Sequence, residues 1–213
     1  MYDIIIFDLD GTLTDPGVGI TNSVMYALKK FGITINDRAE LYKFIGPPLK
    51  DRFMNFFNFS ENDALKAVDY YREYFRDTGI FENRVYDGVE TLLGQIKSRG
   101  KKIILATSKP EEFAIRILKH FNLYDYFDFV GGATFDGSRG EKQDVMAYAL
   151  KTFNVTDISR AVMIGDRKFD IEGAKYFRMD SIGVTYGYGS KEELEKEGAP
   201  YIVDRPLDIL ELL

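Results

Sequence analysis

Ile4-Ile5-Ile6-Phe7-Asp8-Leu9-Asp10-Gly11-Thr12-Leu13-Thr14-Asp15 is the stretch on which the reading of this chain turns. Ile4 to Phe7 is an apolar run too short for a helix, and it fits a strand buried on both faces. The strand runs directly into two carboxylates one residue apart, Asp8 and Asp10, and then Gly11, which lets the chain turn sharply. Open α/β sheets bind ligands at the carboxyl ends of their parallel strands, so this pair marks an active-site rim if more such strands follow. The plainer reading is a solvated acidic loop after an ordinary strand.

More strands do follow. From Val85 onward strand and helix alternate: a helix from Asp87 through Arg99 with Glu90 completing a capping box, a strand over 102–106, a helix over 110–121 with Pro110 at its first position, and a strand over 127–130. A helix over 141–153, a strand over 161–164, a helix over 169–177, a strand over 181–185, a short edge strand over 201–203 and a final helix over 207–213 complete the series. This alternation predicts an α/β fold, a doubly wound parallel sheet with helices on both faces, Rossmann-like in kind. Between Thr14 and Asn83 the period is helical instead. Helices are expected over 21–31, 38–44, 49–57 and from Ser60, as N-cap, to about Asp77, with Thr78-Gly79 as the stop. The dense aromatic residues here, among them Phe53, Phe57, Phe59, Tyr71 and Phe75, suit a small helical bundle with its own core. Two domains follow: residues 1–13 with 84–213 as the α/β core, and 14–83 as an inserted all-helical domain.

Composition narrows the chemistry. Lys and Arg number 28 against 34 Asp and Glu, a net charge of −6, which argues against a nucleic-acid surface. With no Cys, thiolate metal sites and cysteine nucleophiles are excluded. The single His, His120, falls at the end of a helix, where the macrodipole gives it a structural use. No apolar run approaches a membrane span, and a cytoplasmic protein, monomer or homodimer, without membrane contact is expected. The chemistry must therefore run on carboxylates, hydroxyls and amines, with or without a metal.

Parallel strands deliver Asp8, Asp10, Thr107 and Asp166 to one rim, and Asp170 shares a face with Asp166 if the helix begins there. Carboxylates about 4 Å apart repel by roughly 1 kcal/mol in water and by several times more when partly buried. A positive charge is needed among them, and with oxygen ligands alone a hard cation such as Mg²⁺ is the economical choice.

Asp8 to Asp15, the strand-terminal Thr107 with Ser108, Lys142, and Gly165-Asp166 with Asp170 resemble, in order and spacing, the four motifs of the haloacid dehalogenase superfamily. The helical insertion after the first motif is similar to that of the phosphoglycolate phosphatase-like branch. The resemblance implies a Mg²⁺-dependent phosphatase acting on a small phosphorylated metabolite such as phosphoglycolate through a phosphoaspartate. A 5'-nucleotidase and a sugar-phosphate phosphomutase of the same superfamily are its alternatives. It further implies Asp8 as nucleophile and Asp10 as general acid and base, with the metal on Asp8, the Asp10 carbonyl, Asp166 and Asp170, and the phosphoryl group on Thr107, Ser108 and Lys142. Two departures are visible: Gln143 follows Lys142 where many relatives have Pro, and Pro16 follows Asp15 where Ser or Thr is usual. The inserted domain is expected to close over the rim and choose the leaving group, with Lys43, Gly46 and Arg52 as candidates and Arg139 from the core. Lys109 and Lys168 read as surface residues.

Overall fold

A computed structural model describes residues 2–213. The chain divides into two compact units, one formed by the stretch up to Thr14 with 85–213, the other by 15–84. In chain order the elements begin with β1 (Ile4–Phe7), β2 (Thr14–Asp15) and α1 (Gly17–Lys30). A 3₁₀ turn over Arg38–Phe44, α2 (Leu49–Phe57) and α3 (Glu61–Phe75) follow, then β3 (Arg84–Val85), which pairs with β2. The series continues with α4 (Val89–Ser98), β4 (Lys102–Pro110), α5 (Glu111–His120), β5 (Phe129–Ala133) and α6 (Lys142–Thr152). It ends with β6 (Ala161–Gly165), α7 (Lys168–Tyr176), β7 (Asp180–Val184), α8 (Lys191–Glu197), β8 (Tyr201–Val203) and a 3₁₀ turn over Pro206–Glu211.

Six strands form the main sheet in the order β5-β4-β1-β6-β7-β8, every pair parallel. Ile5, Ile6 and Phe7 in β1 are wholly buried, and each gains about 1.5–3 kcal/mol by leaving water, which makes β1 the central strand. From β1 the chain adds β4 and β5 on one side and then β6, β7 and β8 on the other, so it reverses its winding between β1 and β6. Ligand crevices form at such a point. Phe7 lies level with Leu105 in β4 and Ile164 in β6, so Asp8, Thr107 and Asp166 emerge on one rim. Beneath them Ile6, Ile104 and Met163 pack with Val145, Met146 and Ala149 of α6. The expected α/β class holds.

The helical unit closes on aromatic rings, Phe44 with Phe53 at 5.1 Å and Phe31 with Phe59 at 4.6 Å between centroids. Ser60 caps α3, its hydroxyl accepting the Asp63 N–H at 3.2 Å. Gly19 of α1 and Gly79 touch through their backbones, and a Cβ built on Gly19 falls 1.9 Å from the Gly79 carbonyl oxygen.

That contact corrects one expectation: α3 ends at Phe75, and Gly79 serves close approach within a later 3₁₀ turn rather than stopping the helix. Asp87 is not a cap. Gly88, at φ +90°, precedes α4 and lets Leu207 pack against it, leaving no place for a capping box. Pro110 ends β4 and sits at the N-cap of α5 instead of inside the helix. The tail is a 3₁₀ turn, and α8 went unread because Leu194 is its only buried residue.

Candidate active site

The site grows from the end of β1. Asp8 donates its N–H to the Ile164 carbonyl at 2.9 Å, continuing the ladder by one residue, and the Leu9 carbonyl then accepts from Thr12, Leu13 and Thr14. This tight turn requires Gly11 at φ +84°, and a Cβ there would lie 2.2 Å from Asp166 Oδ2.

Asp8, Asp166 and Asp170 are buried and each presents one oxygen within 4.8 Å of the others. Asp166 precedes α7, so the acids do not share a helix face as the spacing predicts. They meet because Asp170 folds back over Gly165, its Oδ2 accepting the Arg167 N–H at 3.1 Å, with no room on Gly165 for a Cβ. Lys142, buried at the first position of α6, puts its Nζ 2.8 Å from Asp8 Oδ1 and 2.7 Å from Asp170 Oδ1. Its Nζ also donates to the Ala106 carbonyl at 3.0 Å, so one ammonium ties two carboxylates to the end of β4. With Gln143 after it, this lysine reaches both carboxylates.

Lys109 is not a surface residue. Its side chain is 5 % exposed and its Nζ lies 2.8 Å from Asp10 Oδ2. Thr107 is buried beside it and its Oγ1 accepts the Lys109 N–H at 3.3 Å, while Ser108 between them is half-buried.

Burial pushes Asp166 well above the ordinary carboxylate range, with Asp170 and Asp8 adding repulsion and the Tyr188 N–H opposing. Burial likewise lifts Asp170 to about 6; Lys142 pulls it down and Asp8 pushes it up. Asp10 is raised by burial, against the pull of Lys109 and with Asp8 adding to the rise. For Lys142 burial disfavours the ammonium, but Asp170 and Asp8 outweigh it and hold the proton more tightly than usual. Four carboxylates thus face two ammonium groups, and the excess equals the charge of one divalent cation. Asp8, Asp166 and Asp170 turn buried carboxylate oxygens toward one point and offer oxygen ligands alone, so the residues fit a hard metal such as Mg²⁺.

A strap after β7 was not legible beforehand. The Tyr188 N–H donates to Asp166 Oδ2 at 2.7 Å and the Tyr186 hydroxyl to the Thr12 carbonyl at 3.0 Å. Thr12 Oγ1 makes a long 3.5 Å contact to Asp166 Oδ1. Gly187 and Gly189 let the strap lie against Gly11 and Asp166, and the Tyr-Gly-Tyr-Gly alternation was the signal that could have found it.

The remaining candidates have other surroundings. Lys43 Nζ stands 3.8 Å over the Phe56 ring with the Arg52 guanidinium 5.6 Å from it, and Gly46 turns the chain at φ +102°, all within the helical unit. Arg139 donates to the Gly132 carbonyl at 2.7 Å, pairs with Glu111 at 3.1 Å and lies on the Tyr148 ring, so it ties down the loop before α6. His120 ends α5 against the Phe121 ring. Among the described residues no helix is long and apolar enough to cross a membrane.

Residues 5–184 match the sequence profile of a family described as haloacid dehalogenase-like hydrolase. The chain is 46 % identical over 193 residues to a 5'-nucleotidase of Pseudomonas aeruginosa, covering 91 % of this chain and 87 % of that one. It is 27 % identical over 210 residues to a phosphoglycolate phosphatase of Colwellia psychrerythraea, covering 95 % and 92 %. A crystal structure described as a predicted phosphatase from Clostridium acetobutylicum superposes with a TM-score of 0.94 at 50 % identity, covering 99 % of both chains.

Proposed function

From the premise that this chain belongs to the haloacid dehalogenase-like hydrolase family and is a phosphoric monoester hydrolase, we propose that it cleaves small phosphate monoesters through Asp8, with nucleoside 5'-monophosphates as the first class to test. The observation that carries the reading is Lys142 bridging Asp8 and Asp170 inside a buried acidic cluster. An ammonium held there meets the charge of a phosphoryl group beside a carboxylate nucleophile.

In the first half-reaction an Asp8 oxygen attacks phosphorus, the bond from phosphorus to the leaving oxygen breaks, and Asp10 gives that oxygen its proton. Water then attacks phosphorus, the bond to Asp8 breaks, and Asp10 takes the water's proton, so phosphate leaves and both acids are reset. Lys142, the Thr107 hydroxyl and Ser108 donate to the phosphoryl oxygens. Asp8, Asp166, Asp170 and the Asp10 carbonyl would hold Mg²⁺, whose charge would offset that of the phosphoryl group. The helical unit is assigned the choice of leaving group, with Lys43, Gly46 and Arg52 its candidates.

Nucleotides are placed ahead of phosphoglycolate because identity to the 5'-nucleotidase is the higher of the two. Steady-state release of phosphate from nucleoside monophosphates, phosphoglycolate and hexose phosphates, with Mg²⁺ and with chelator, tests this. A kcat/KM for phosphoglycolate above that of every nucleotide would overturn the substrate class. Full activity in chelator would overturn the metal.

A further inference from the structure

We propose that Lys109 is the positioning residue of Asp10: by clamping Oδ2 it aims Oδ1, the oxygen that carries the proton, at the leaving group. The proposal rests on Asp10 being the general acid.

The backbone builds this arrangement. In the ladder between β4 and β5, Thr107 pairs with Gly132 and Pro110 with Ala133, so Ser108 and Lys109 bulge out of register. Bulges beside active sites re-aim side chains. Two features hold this one: the Thr107 hydroxyl accepts the Lys109 N–H, and Gly132 lacks the Cβ that would come 2.8 Å from the Lys109 carbonyl and 2.5 Å from Glu111 Cα.

The side chain then enters the site, where it lies 5 % exposed with its Nζ 2.8 Å from Asp10 Oδ2. A buried ammonium is costly unless paired, so its position is tied to that carboxyl. An ammonium has donors only, so it favours the stronger acceptor, the oxygen that does not carry the proton. That leaves the proton to Asp10 Oδ1, which is buried and has no hydrogen-bond partner. Without Lys109 the carboxyl is free to rotate, and the acid loses its aim while the nucleophile Asp8 and Lys142 keep theirs.

The test is the dependence of kcat/KM on the leaving group, which a merely structural role does not move. Alkyl phosphates need the acid, whereas nitrophenyl phosphate expels a stable phenolate with little help. General acids contribute about 10²–10⁴-fold, so Lys109→Met is expected to lower kcat/KM for glycerol phosphate by about 10²-fold and for nitrophenyl phosphate at least about tenfold less. Lys109→Gln keeps a donor and should recover part of the alkyl rate; it also carries the test if the methionine variant does not fold. Added to Asp10→Asn, Lys109→Met should cost little further, because the two act as one unit. If Asp10→Asn slows alkyl and aryl substrates equally, the acid assignment itself fails. If Asp10→Asn discriminates between them and neither Lys109 variant does, the Lys109 proposal alone is overturned. A rise in KM confined to substrates with anionic leaving groups would also overturn it, since Lys109 would then bind substrate directly.

Discussion

Lys142 carries more of the site than any other single residue. It is the shared counter-ion of Asp8 and Asp170, and its loss strands two buried carboxylates. Breaking such a pairing costs roughly 3–5 kcal/mol, and removing a donor to a transition-state oxygen about 10²–10³-fold in rate. Lys142→Met is therefore expected to lower the urea midpoint of the metal-free protein and kcat with nitrophenyl phosphate together. An unchanged kcat would remove Lys142 from the phosphoryl site. At this scale the aspartates were legible because they interrupt apolar strand ends, a pattern that survives in one dimension. Lys109 was not, since a bulge decides where its side chain goes and bulges leave no periodic trace. The hold on Asp166 from the Tyr188 N–H was invisible for a different reason: any residue has an N–H.

Among elements, α1 and the Gly79 turn meet backbone to backbone in the helical unit. Gly19→Ala would place a methyl 1.9 Å from the Gly79 carbonyl oxygen, and backbone cannot yield as a side chain end does. Overpacking of this kind costs about 1–3 kcal/mol, so a lower unfolding midpoint is expected by calorimetry; an unchanged midpoint would mean that the crossing relaxes freely. The strands of the main sheet could be read from sequence because burial on both faces writes an unbroken apolar run. Helix ends were harder. Asp87 and Glu90 have capping-box spacing, yet the chain enters α4 through Gly88, and the packing of Leu207 against it belongs to the far end of the chain. The helix α8 offered Ser190 as cap and Gly198 as stop, but seven residues with one buried side chain have no apolar stripe to read.

For the whole molecule, the acidic cluster couples folding to pH and metal. Asp166 and Asp170 hold protons more tightly folded than unfolded, so their contribution to stability is greatest below the ordinary carboxylate range. It declines as pH rises, for Asp170 through about 6. On the proposed metal assignment, a divalent cation would bind the ionised forms and reverse that loss. Saturating MgCl₂ should raise the melting temperature more at about pH 7.5 than at about pH 5. An equal rise at both would place the bound ion elsewhere. The architecture was the most legible level, because alternating elements allow few ways to wind a parallel sheet. The acids at the reversal point between β1 and β6 then followed from topology, whereas the selecting role proposed for the helical unit rests on side chains with no pattern to betray them.

The central claim is that Asp8 takes the phosphoryl group onto its own carboxylate, and it is tested most directly by trapping that bond. Asp10→Asn, mixed with nitrophenyl phosphate and Mg²⁺ and quenched in acid, should gain one phosphoryl group. Borohydride reduction followed by peptide mapping should place it at Asp8, and Asp8→Asn should neither label nor turn over. Label on another residue, or an Asp8→Asn variant that hydrolyses the substrate at the wild-type rate, would contradict the account.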